Sequence, residues 1–252
     1  MSRNKIFDFL IVMLVYLAFS CFPFELFIKG SAWIIDVCRI GVQIGLIIFN
    51  ILYLKYRSCL DIKLNKINLK NLLLLLPCVL VCFSNFLYFA FEPQQFGINF
   101  QYEALFYVGL YALVAINEEI IFRLCFYNNV ENKRNLKTIL IGAGIFGLCH
   151  LTGFISNPTD PSLLLIVVYT FAFGILLSIC YVSTNSLWFT IILHFIFNSC
   201  NDVLYESMSL GINSWFYYIL ANGIVTAIVG LYLVYLVFGY KILKSKTAEI
   251  ED

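Results

Sequence analysis

Residues 115–124 read "AINEEIIFRL" and place two adjacent carboxylates and an arginine in a run that is otherwise almost wholly apolar. How that run is read decides the fold. In a soluble helix Glu118, Glu119 and Arg123 would be an ordinary solvated face. Inside a bilayer each charge costs roughly 2.5 to 3.5 kcal/mol even on the mildest scale, so such residues turn to a protein interior and usually serve a purpose. Composition selects the second setting: of 252 residues 62% are hydrophobic and 12% charged, against about 25% charged in an ordinary soluble domain.

A helix needs about 20 apolar residues to cross the bilayer core. Working outward from residue 115, about eight such runs are expected, near Ile6–Ile28, Trp33–Leu54, Asn71–Phe91, Tyr102–Asn128, Thr138–Ile155, Pro161–Val182, Ser186–Tyr205 and Ser214–Tyr240. The expected fold is therefore all-α, a polytopic membrane helix bundle of about eight transmembrane helices. It forms a single integral membrane domain over 1–252, with a motif-bearing core over about 102–205. No internal repeat is evident, and the most polar linkers are Lys55–Lys70 and Asn128–Lys137.

The net charge of +1 says nothing about partners, but the placement of the basic residues does. All 16 Lys and Arg except Lys29 and Arg39 fall in the two tails, in the second connection or around the fourth. With eight spans, the excess of basic residues on the cytoplasmic side puts both termini in the cytoplasm and makes the chain a multi-pass protein, expected in the plasma membrane. No basic face stands free of the membrane surface, so nucleic acid is not an expected partner. The first run starts with Arg3 and Lys5 as a secretory signal would, but it is long for a signal core and lacks an A-x-A site, so it reads as a retained anchor. "LAFSC" (17–21) resembles a lipoprotein cleavage box only faintly. The nine cysteines are scattered singly with no C-x-x-C, as apolar fillers would be. Trp33, Tyr102, Trp188, Trp215 and Tyr240 lie near run ends, where an interfacial aromatic belt is expected.

Polar residues inside the apolar runs form a small set. Glu118, Glu119 and Arg123 lie in the fourth run, His150 in the fifth, and His194, Asn198, Asn201 and Asp202 in the seventh. Both histidines of the chain fall inside apolar runs. A rise of about 1.5 Å per residue places Glu118, His150 and His194 roughly 15, 18 and 12 Å below the cytoplasmic surface, in one layer. Glu119 and Arg123 are four apart and can pair on one face, whereas Glu118 points about 100° away from Glu119, which predicts separate roles. His194 and Asn198 are also four apart, and Asn201 completes their stripe.

Three motifs emerge from these positions: Glu-Glu-x-x-x-Arg (Glu118, Glu119, Arg123), Phe-x-x-x-His (Phe146 to His150, in "FGLCH") and His-x-x-x-Asn (His194 to Asn198, in "HFIFN"). Their order on separate membrane helices resembles the CPBP family of intramembrane proteases, also called the CAAX-protease and bacteriocin-processing, or Abi, family. The resemblance covers Asn117 to Asn198. It implies a peptidase core buried in the membrane and a peptide or protein substrate met there, in a family that spans trimming of prenylated CaaX tails, peptide processing and bacteriocin self-immunity.

Amide hydrolysis needs a nucleophile, a base and hydrogen-bonding groups where the oxyanion develops. No Ser-Lys or Ser-His pair offers a nucleophile, so water takes that role. Glu118 is the expected general base, His150 orients the water or carries its proton, and His194 with Asn198 donates to the oxyanion. Glu119 and Arg123 are read as a structural ion pair. Glu118, His150 and His194 would equally make a three-ligand zinc site with an open position. No H-E-x-x-H decides between the two, and the metal-free form is the one adopted, with no cofactor. The substrate-binding residues are not legible.

Plainer readings stand beside these. The Glu118, Glu119 and Arg123 charges can form an interhelical network that only fixes packing, and a lone buried histidine commonly donates to a backbone carbonyl. Phe146 is packing on any reading. Asp36 and Arg39, three apart, are expected to pair within the membrane. A non-catalytic immunity or scaffold protein is the main alternative. A proton-coupled transporter fits less well without repeated halves or paired broken helices.

Overall fold

The structure is a computed structural model describing residues 3–28, 32–57, 75–83, 103–130, 132–156, 158–159, 162–199 and, toward the C-terminus, 228, 229, 231, 232 and 235. Among the described residues every regular element is helical. In chain order these are α1 (Arg3–Ser20), α2 (Phe24–Phe27), α3 (Ala32–Tyr56), α4 (Leu76–Cys82), α5 (Glu103–Glu119), α6 (Leu136–Cys149), α7 (Ser162–Thr184) and α8 (Leu187–Asn198). α5 runs directly into a π-helical stretch, Ile120–Cys125, and a last α turn, Phe126–Asn128. α6 tightens at its end into a 3-10 turn, His150–Thr152, followed by one turn, Gly153–Ser156.

Three helical stretches are long and apolar enough to cross a membrane: Trp33–Tyr56, Leu136–Ile155 and Leu163–Thr184. Ile6–Ser20 and Leu187–Asn198 are shorter apolar helices. The described residues are thus all-helical in their regular elements and supply three of the about eight spans expected, by length and composition. The runs expected over 71–91 and 214–240 are described only in part, and Asn201, Asp202, Tyr102, Trp215 and Tyr240 lie outside the described residues. The first run does not continue to Ile28 as one helix. α1 stops at Ser20, and Pro23 sits at the N-cap of α2 with φ −80° and ψ 77°, because proline lacks the N–H a continuing helix would use and its ring clashes with the preceding turn. Just beyond, Arg39 pairs with Glu25 and lies 3.6 Å from Asp36, so the expected i,i+3 pair takes in a third member.

Side-chain caps define the elements that carry the motifs. Asn135 opens α6 by accepting from the Lys137 N–H at 2.9 Å. Ser186 opens α8 by accepting from the Phe189 N–H at 3.4 Å. Each satisfies one of the orphan donors of a first helical turn. Between α7 and α8, Asn185 adopts φ 51° and its N–H bonds back to the Tyr181 carbonyl at 2.7 Å. Asparagine tolerates that left-handed geometry at a helix end, and the two-residue turn leads into α8, which packs against both α7 and α5.

Among the described residues α6 packs most extensively on α7, and small residues make the approach possible, as they do between membrane helices generally. A Cβ on Gly147 would stand 3.0 Å from the Val167 carbonyl oxygen and 3.1 Å from the Phe171 nitrogen; one on Gly174 would stand 3.0 Å from the Phe146 ring. Since the Gly147 neighbours are backbone, Gly147→Ala must push the two helices apart by a few tenths of an ångström. Overpacking of this kind costs about 1–3 kcal/mol, so a lowered unfolding midpoint in detergent is expected. A wild-type midpoint would contradict the tight approach.

Large apolar side chains also cover the outside. Phe7, Leu14, Leu52, Leu148, Ile155 and Val168 are all exposed, a skin that suits hydrocarbon and would be a liability in water. Meanwhile α1 and α3 are tied by polar contacts within the bundle. Asp8 accepts from Tyr53 Oη and Arg57 Nε, each at 2.9 Å, and Ser20 Oγ accepts from Gln43 Nε2 at 3.0 Å.

Candidate active site

α5 and the π-helical stretch after it supply the charges. Arg123 is 1% exposed and lies with its Nε 3.3 Å from Glu119 Oε2, one turn away. Its Nη2 donates to the Gly174 carbonyl at 3.3 Å, and its Cζ stands 4.9 Å over the Phe146 ring. The guanidinium is therefore held by a carboxylate, a carbonyl dipole and an aromatic face, which together offset the cost of removing it from water. All six residues of the π-helical stretch are buried, and such stretches recur at functional sites.

α8 brings His194 into this cluster. The ring is 3% exposed, with Nδ1 2.8 Å from Glu119 Oε1 and Nε2 3.5 Å from Glu118 Oε2. Separate roles for the two acids were expected because their Cβ atoms diverge by about 100° on a helix. Instead both carboxylates reach the same imidazole. The directions do diverge, but α8 packs against α5 between them, and an imidazole presents its two nitrogens to two side. Glu119 is thus both the partner of Arg123 and an acceptor for His194, a double contact that helical spacing within one element cannot reveal.

Glu118 has a second partner that no motif indicated. Tyr16, on α1, donates its hydroxyl to Glu118 Oε1 at 2.7 Å across a sequence separation of 102. Its tyrosine sits in an apolar run with nothing local to distinguish it. The adjacent Asn117 is buried and donates to the Gln43 carbonyl and to Gln43 Oε1 at 2.9 and 2.7 Å, while Asn50 donates to its Oδ1 at 3.1 Å.

His150 caps α6 where the helix tightens. Its Nδ1–H donates to the Phe146 carbonyl at 3.0 Å, as expected of a satisfied core histidine. In the neutral ring that bond places the lone pair on Nε2. Phe146 is central: its ring meets His150 at 5.0 Å and His194 at 5.9 Å between centroids, both edge-on, as well as lying under Arg123. The structure therefore joins Glu118, Glu119, Arg123 and His194 directly and His150 through Phe146. Asn198 closes α8 one turn beyond His194, half-buried, and its amide has no hydrogen-bond partner among the described residues.

Zinc would need Glu118, His150 and His194 to converge. Among the described residues no group of three or more His, Cys, Asp or Glu is placed to hold a metal ion. His194 carries Glu119 on Nδ1 and faces Glu118 with Nε2.

Residues 100–200 match the family described as Rce1-like, type II CAAX prenyl endopeptidase Rce1-like. Comparison with curated proteins and with solved structures gave no match. Together with the apolar helices, the family match supports an integral membrane protein with a peptidase core. The matched stretch holds Glu118, Glu119, Arg123, His150, His194 and Asn198, the residues whose spacing resembles the CPBP, or CAAX-protease, family.

Proposed function

We propose that the chain is an intramembrane endopeptidase that hydrolyses a peptide bond of a lipidated or small membrane-associated peptide, using water activated by Glu118 and His150. The observation that carries this reading is the meeting of Glu118 and His194 at 3.5 Å inside an apolar bundle. A carboxylate edge and an imidazole nitrogen facing one another form a site for a polarised water or carbonyl oxygen.

In this mechanism Glu118 Oε2 takes a proton from water as the oxygen attacks the scissile carbonyl carbon. His150 Nε2 accepts the second hydrogen bond of that water and orients it. His194 donates to Glu119 from Nδ1 and to the oxyanion from Nε2, and the Asn198 amide supplies a further donor there. Collapse of the tetrahedral intermediate breaks the C–N bond, and Glu118 returns the proton to the departing amine. No step uses a metal. The proposed setting is the plasma membrane with both termini cytoplasmic, and the proposed substrates extend to bacteriocin-like peptides.

The test uses the full chain in lipid nanodiscs and a fluorogenic peptide ending in a farnesylated CaaX sequence, with its unprenylated counterpart. His150→Ala and His194→Ala are each expected to lower hydrolysis by about a hundredfold or more at normal membrane levels. Exhaustive chelation is expected to leave the wild-type rate within about twofold. Full activity in both histidine variants would leave the non-catalytic scaffold as the better reading, and a chelation loss restored by zinc would sink the metal-free mechanism.

A further inference from the structure

Tyr16 lies outside residues 100–200, the stretch matched by the family, yet it makes the shortest contact to Glu118. We propose that Tyr16 is a positioning residue that fixes the Glu118 carboxylate for proton transfer, an inference that rests on reading Glu118 as the base.

The hydroxyl of Tyr16, itself 5% exposed, donates to Oε1 at 2.7 Å, a well-formed O–H···O hydrogen bond. Oε2 faces His194 Nε2 at 3.5 Å. The two oxygens are thereby differentiated. Oε1 is committed to the phenol, and Oε2 is left toward the imidazole, where water would be activated. A glutamate has three side-chain torsions, and anchoring one oxygen from a separate helix sets the plane of the carboxylate.

The anchor is itself held. Above Tyr16, Ser20 is bonded to Gln43 of α3, and Gln43 accepts from Asn117, the residue before Glu118. About two helical turns below it, Phe9 meets Phe122 and Phe126 edge-on at 6.3 and 5.3 Å. α1 is therefore tied to the motif-bearing helix on both sides of Tyr16. A hydroxyl that only satisfied a buried acceptor would need no such fixed approach, and the two roles predict different measurements.

The full chain in nanodiscs is assayed with the farnesylated CaaX probe. Tyr16→Phe keeps the ring and removes the donor. The expected result is a fall in kcat of about tenfold to a hundredfold, with KM within about twofold of wild type. A purely structural role would lower the unfolding midpoint and the amount of active protein without moving kcat per folded molecule. A second measurement needs no substrate: the infrared carboxylate stretch that disappears in Glu118→Gln is expected to shift in Tyr16→Phe, and also when 3-fluorotyrosine occupies position 16. The fluorinated residue keeps the hydroxyl and serves if the phenylalanine variant does not fold. Wild-type kcat and an unmoved Glu118 band, with Glu118→Ala inactive, would overturn the inference and leave Glu118 as the base. Full activity of Glu118→Ala would instead overturn the base assignment, and the infrared band alone would then decide whether Tyr16 fixes that carboxylate.

Discussion

Glu118→Ala is expected to lower hydrolysis of the farnesylated CaaX probe by about a thousandfold, within the range lost when a positioned general base is removed. At 1.36 kcal/mol per tenfold, that is about 4 kcal/mol of transition-state stabilisation. The protein should remain folded. The Glu118 side chain is 12% exposed, against none for Glu119, and its loss strands only the Tyr16 hydroxyl and one face of His194. Each lost hydrogen bond costs about 1 kcal/mol. Activity and stability therefore part company at this position, and the measurement is the rate per folded molecule beside the unfolding midpoint. Glu118→Gln, which keeps an acceptor for Tyr16 but cannot take a proton, should be as inactive as alanine with a midpoint closer to wild type. A rate within twofold of wild type for either variant would rule out Glu118 as the base.

Arg123→Met is expected to have the opposite profile, with its first effect on the fold. Removing the guanidinium leaves the Glu119 carboxylate fully buried with His194 and the Thr190 hydroxyl as its remaining polar partners. Breaking a buried pair from one side costs about 3–5 kcal/mol, whereas replacing both members by apolar groups is often neutral. Arg123→Met combined with Glu119→Leu should therefore recover much of the midpoint lost in the single variant. It should not recover hydrolysis, because Glu119 also accepts from His194 Nδ1 and holds that ring in place. Denaturant titration in detergent gives the stability, and the CaaX probe gives the rate. A single variant as stable as wild type would mean that the guanidinium and carboxylate do not depend on one another.

Much of this was legible from spacing and hydropathy, and the rest was not, for reasons that can be stated. Apolar length marks α3, α6 and α7, and the four-residue interval pairs Glu119 with Arg123 because both lie on one element. Depth counting brought Glu118 and His194 to one layer, and the two side chains do meet. The convergence of both acids on His194 could not be read, because the direction of a Cβ says nothing about where a neighbouring helix will lie. Tyr16 was hidden for a similar reason: it is one of 16 tyrosines in an aromatic-rich chain, and only the docking of α1 gives it a partner. His150 was expected within a continuing helix, whereas α6 changes its winding at that residue, a choice made by packing and by Thr152, whose hydroxyl bonds the Cys149 carbonyl at 2.8 Å.

The π-helical turn at Ile120–Cys125 divides one continuous rod into two parts that can be phased separately. Upstream, Asn117, Glu118 and Glu119 take their azimuth from α3, α1 and α8. Downstream, Phe126 and Tyr127 take theirs from Phe9 and Tyr181, with ring separations of 5.3 and 5.7 Å. A uniform α-helix turns about 100° per residue, so any adjustment of the downstream packing would swing the carboxylates by the same angle. A wider turn between the two absorbs that rotation. The downstream end of the rod can then be recut to suit different neighbours while the acids keep their bearing on the imidazole.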